Sequence, residues 1–101
     1  MDTKQLIKDA KARFKHNSAK AYLKDKYQSK LIVADQDGLW LASPELIGFL
    51  SGSREDYLVL IDRYNNPVQV DRAELLEKLD TVYNGVMSLW FTEWQELKSN
   101  R

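Results

Sequence analysis

The chain has 101 residues, 44% apolar and 30% charged, with only four glycines and two prolines, which predicts one globular domain over residues 1–101 and excludes a disordered chain. It contains no cysteine, so disulfides, thiolate nucleophiles and Cys-ligated metals are excluded, and a reducing cytoplasm is the simplest setting. Lys and Arg balance Asp and Glu at 15 each, but residues 1–30 hold nine of the bases and only three of the acids. That asymmetry either offers a basic surface to nucleic acid or lets the two parts attract each other within or between chains.

Asp2 with Gln5 has the form of a capping box, followed by Leu6, Ile7, Ala10 and Phe14 at helical spacing. The apolar phase slips near His16-Asn17-Ser18, which predicts a break or kink and a second helix of about two turns through Tyr22, Leu23 and Tyr27. This start lacks the unbroken apolar core of a signal peptide, and the longest apolar run, Tyr57 to Ile61, is too short to span a membrane.

Two β-prone runs, Lys30 to Ala34 and Leu39 to Ala42, flank Asp35-Gln36-Asp37-Gly38 and predict a hairpin in which Gly38 accepts the positive φ of the turn. Ser43-Pro44-Glu45 opens a short helix carrying Leu46, Ile47, Phe49 and Leu50. Tyr57-Leu58-Val59-Leu60-Ile61, as the most apolar run, reads as the most buried strand, returning through Asn65-Asn66-Pro67 into Val68-Gln69-Val70. Asp71 with Glu74 is a second capping box, opening a helix to about Lys98. The order predicts an α+β fold: a mostly antiparallel four-stranded sheet from two β-hairpins, packed by N-terminal helices and one long C-terminal amphipathic helix.

In that last helix ten apolar residues from Leu75 to Leu97 fall within about 140° of arc, and the stripe keeps its phase across Asn84-Gly85, which predicts one helix with Gly85 as its candidate hinge. Adding Leu89 and Phe91 widens it to about 200°, more than one docking surface needs. The later turns are therefore candidates for binding a protein partner or a second copy through Met87, Trp90, Phe91, Trp94 and Leu97. The alternative is that these aromatics pack on the first helices of the same chain.

Chemistry-bearing patterns are sparse. His16 is the only histidine, so no two-His metal site can form, and no acid is placed near it in sequence to complete a relay. Asp35-Gln36-Asp37-Gly38 lacks the further ligands of a calcium loop and reads as a turn. No phosphate-binding glycine loop occurs. The expectation is therefore no catalytic residue, no metal and no cofactor. Lys8, Lys11, Arg13, Lys15, Lys20 and Lys24, interleaved with Phe14, Tyr22 and Tyr27, form the alternative candidate surface, for nucleic acid.

The stretch from Asp62 to Leu76, Asp62-Arg63-Tyr64-Asn65-Asn66-Pro67-Val68-Gln69-Val70-Asp71-Arg72-Ala73-Glu74-Leu75-Leu76, leads into a helix with late aromatics and resembles the C-terminal part of bacteriophage tail-fibre-associated proteins. With Leu39-Trp40 and Pro44-Glu45-Leu46-Ile47, the chain is similar in style to small proteins of tailed phages, including those infecting cyanobacteria. The resemblance implies a phage structural or host-takeover factor, located in the host cytoplasm or the virion, and carries over no catalytic residue.

Overall fold

The computed structural model describes the backbone of residues 3–99 and the side chains of residues 15–99. In chain order the elements are α1 (Thr3–Lys30), β1 (Ile32–Asp35), β2 (Gly38–Leu41), α2 (Pro44–Gly52), β3 (Tyr57–Ile61), β4 (Pro67–Asp71) and α3 (Arg72–Ser99). The fold is mixed α+β, with two separate two-stranded antiparallel sheets among the described residues.

The first helix runs unbroken, so the N-terminal part is one helix and not two. His16, Ala19, Leu23, Lys26 and Tyr27 are its less exposed described residues, at the three-four spacing of a helix lying along another. Asn17 and Ser18 point to solvent, and packing along α3 outweighs their modest preference for caps. Asp2, and the side chains of Gln5, Leu6, Ile7, Ala10 and Phe14, lie outside the described residues.

The first hairpin pairs Ile32 with Leu41 through to Asp35 with Gly38. Its two-residue turn takes positive φ at Gln36 (50°) and Asp37 (62°), as a type I′ turn requires. The expected role of Gly38 is thus corrected, because no glycine among the described residues has positive φ. Glycine is required there by Trp40: a Cβ on residue 38 would lie 2.5 Å from the indole ring. That ring is buried, and its Nε1 donates to the Asp35 carbonyl at 2.9 Å. Ser43 caps α2 as expected, its Oγ accepting from the Leu46 N–H at 3.2 Å.

The second hairpin pairs Tyr57 with Asp71 through to Ile61 with Pro67. The two hairpins do not merge into the expected four-stranded sheet. Where a ladder would begin, the Leu39 N–H donates to the Asp62 carboxylate at 3.2 Å and the Leu39 carbonyl accepts from the Arg63 N–H at 2.8 Å. Elsewhere a side chain makes the join: the Gln36 amide accepts from the Asp71 N–H at 2.7 Å and donates to the Asp71 carbonyl at 3.3 Å. Asp62 also accepts from the N–H groups of Asn66 and Tyr64, each at 3.0 Å. These bonds, that from Asn66 foremost, hold its carboxyl below the usual carboxylate range.

Because the ribbon of β3 and β4 has only one face on the core, β3 is not the most buried strand. Leu58 and Leu60 turn inward and are half-buried, whereas Tyr57, Val59 and Ile61 face solvent. The core consists of Leu31, Val33, Trp40, Ala42, Leu50, Val70, Leu75 and Leu79.

Asp71 caps α3 by accepting from the Glu74 N–H at 3.2 Å. The capping box is one-sided, since the Asp71 N–H is given to Gln36. Arg72 ties α3 to its neighbours, its guanidinium donating to the carbonyls of Glu55 at 2.7 Å and Leu50 at 3.1 Å. No hinge forms at Gly85: the helix is continuous, and Asn84 donates back to the Asp80 carbonyl at 2.9 Å. The later turns of α3 run antiparallel along α1, giving a molecule of 65 × 25 × 19 Å.

These two glycines should respond oppositely to an added methyl. A Cβ at Gly85 meets nothing within 4 Å, so Gly85→Ala is expected to stabilise by about 1 kcal/mol. Gly38→Ala drives a methyl into the Trp40 ring and is expected to destabilise by about 1–3 kcal/mol. Urea denaturation checks both, and equal signs would contradict the assigned roles.

Candidate interaction surfaces

The aromatic turns of α3 meet α1 along a seam. Tyr27, 2% exposed, stacks on Trp90 with ring centroids 6.1 Å apart and planes at 12°. Glu93 Oε1 accepts hydrogen bonds from Lys26 Nζ at 2.8 Å and from the Tyr27 hydroxyl. Beyond it, Lys20 Nζ lies 5.8 Å from the Trp94 ring centroid and the His16 ring lies 6.1 Å from it. The Trp90 and Trp94 rings are therefore engaged within the chain, and Met87 and Leu97 are half-buried in the same stripe.

Phe91 and Leu89 remain 59% and 56% exposed. Two residues apart on a helix, they stand about 200° from each other, on opposite shoulders of the seam. The wide stripe thus resolves into one internal contact and two separate apolar shoulders. Glu93, at mid-stripe, is where the seam places its charge.

Hydrogen bonds from Lys26 and then Tyr27 hold Glu93 below the usual carboxylate range, while the same contacts raise Lys26 and Tyr27. The depressed carboxylate supports the folded state above its ordinary value of about 4, and that support is lost as pH falls through its folded value. The raised Lys26 and Tyr27 support it below about 10, a contribution lost as pH rises through their folded values. Glu93→Gln is expected to weaken the seam at neutral pH, red-shift the tryptophan emission and flatten the acid limb of the stability profile. An acid limb matching the parent's would contradict this pairing.

The cationic candidates do not gather into one patch in the described part of α1. Lys15, Lys20 and Lys24 are exposed, but nine helical residues set Lys15 and Lys24 on roughly opposite sides, and Lys20 leans over Trp94. The side chains of Lys8, Lys11 and Arg13 lie outside the described residues. No helix among the described residues is long and apolar enough to cross a membrane.

A further surface escaped the reading from sequence. On the outer face of the ribbon, Tyr57, Val59 and Ile61 are 62%, 66% and 65% exposed. They stand opposite Asp71, Gln69 and Pro67 of β4. The partner strand carried the available signal: Pro67, Gln69 and Asp71 alternate with Val68 and Val70, so whatever pairs with them shares an outward face. Three large apolar side chains in succession on one strand face are a patch, unlike apolar residues scattered singly.

The chain matches no protein-family model, no curated protein and no solved structure.

Proposed function

We propose that the chain is a non-enzymatic protein-interaction protein that self-associates through apolar surface it leaves uncovered. The observation that carries this reading is the outer face of β3, where Tyr57, Val59 and Ile61 each keep more than three fifths of their surface in water. Burying such side chains against another polypeptide is worth roughly 25 cal/mol per Å² of apolar area removed from water, before the costs of association.

The later turns of α3 are the weaker candidate, because α1 already engages Trp90 and Trp94. Of that group only Phe91 is exposed. The resemblance of residues 62–76 to tail-fibre-associated proteins supplies the setting in this proposal, a phage structural or host-takeover assembly.

Light scattering over a concentration series tests the reading. The mass is expected to rise above the 11.8 kDa of one chain as concentration increases, Val59→Lys should suppress the rise, and Phe91→Ser should leave most of it. A mass fixed at one chain up to millimolar concentration would remove the proposal, and suppression by Phe91→Ser alone would move the surface to α3.

A further inference from the structure

The ribbon offers its face to a partner more readily than its edges. Pro67 has no N–H to give, and Gln36 takes both backbone groups of Asp71, so the outer edge of β4 is closed at both ends. Alongside β3, Leu39, Leu41 and Leu46 share a narrow cleft with Leu60 and Ile61, and the Arg63 N–H is already bonded to Leu39. A strand added at this end of β3 would meet that cleft. The outer face carries no such obstruction, and Tyr57, Val59 and Ile61 project from it.

Charge selects what covers this face. Residues 57–61 are uncharged; Arg54, Glu55 and Asp56 precede them and Arg63 follows the buried Asp62, with Glu55 and Arg63 sharing the alternation of Tyr57, Val59 and Ile61. Both are exposed, and the one ion pair among the described residues, Lys26 with Glu93, uses neither. A strand with an acid at one end and a base at the other is complementary to its own reverse. Two copies laid parallel would set Glu55 against Glu55 and Arg63 against Arg63, whereas two copies laid antiparallel satisfy both charges twice.

Resting on the self-association reading, we propose that the partner is a second copy of this chain. The two ribbons pack outer face to outer face about a two-fold axis beside Val59, Tyr57 of each copy lying over Ile61 of the other and Glu55 facing Arg63 at both rims. Such a contact is isologous, so it closes as a dimer and does not propagate. Packed sheets lie about 10 Å apart, a spacing that interleaved Val and Ile side chains fill. The patch is small beside the roughly 800 Å² per partner of a standard interface, so the dimer is weak and forms as concentration rises.

The test is a charge swap on the full chain, read as the dimer dissociation constant by sedimentation equilibrium at low salt. Glu55→Arg and Arg63→Glu leave the backbone bonds of both residues in place, and an unchanged tryptophan emission spectrum with unchanged circular dichroism confirms the fold of each variant. Each single variant is expected to weaken the dimer by about three- to tenfold, on the scale of exposed ion pairs. The double variant should return to within about twofold of the parent. Single variants that dimerise like the parent, or a double variant no better than either single one, would overturn the antiparallel arrangement while leaving self-association standing. A parent chain monomeric at every concentration would remove the underlying reading itself.

Discussion

The carboxylate of Asp62 accepts backbone N–H groups from Leu39, Tyr64 and Asn66, so one side chain shapes the turn between β3 and β4 and also fastens it to β2. Asp62 is the one buried polar or charged residue in the described core, 6% exposed. A buried carboxylate is tolerable only when its charge is met by donors. Here three are supplied, and no described buried side-chain polar atom lacks a partner. The consequence for function is orientation. By anchoring the ribbon at its turn, while Gln36 anchors it at Asp71, the fold commits Leu58, Leu60, Val68 and Val70 to the core side and Tyr57, Val59 and Ile61 to water.

The contacts of the described residues fall into two regions that share α3. In the body, apolar packing dominates, with Leu50, Leu75 and Leu79 fully buried around Trp40. In the helical arm, α1 and α3 meet through aromatic stacking and one hydrogen-bonded charge cluster at Glu93. The exposed pair of the arm is open to screening by salt, whereas the Asp62 carboxylate of the body is buried and met by backbone donors. The basic excess of residues 1–30 is answered in part within the chain, through Lys26 and Glu93.

Much of the fold was legible because it follows local rules. Ser43 and Asp71 announce helix starts by their cap chemistry, Asp35 to Gly38 announces a hairpin turn, and the phase of the α3 stripe survives Gly85. What was not legible depends on tertiary placement. His16-Asn17-Ser18 has the composition of a break, yet α3 holds α1 straight through it. Gly38 looks like a turn glycine, yet it makes room for the indole of Trp40, two residues on. Tyr57 to Ile61 looks like a buried strand because periodicity alone cannot separate a strand covered on both faces from one covered on one. Only the register against Pro67, Gln69 and Asp71 settles which face is outside. On the candidate site, the sequence pointed to Trp90, Trp94 and their neighbours because of the stripe's width, and it could not show that α1 occupies the centre of that stripe.

Concentration-dependent chemical shifts, recorded residue by residue on the full chain, test most directly whether the outer ribbon face is the surface of contact. Resonances of Tyr57, Val59 and Ile61, and those of Glu55 and Arg63 at the rims of the face, are expected to move together as concentration rises, while Leu89 and Phe91 stay fixed. Shifts confined to the later turns of α3, with β3 unchanged, would contradict contact through that face.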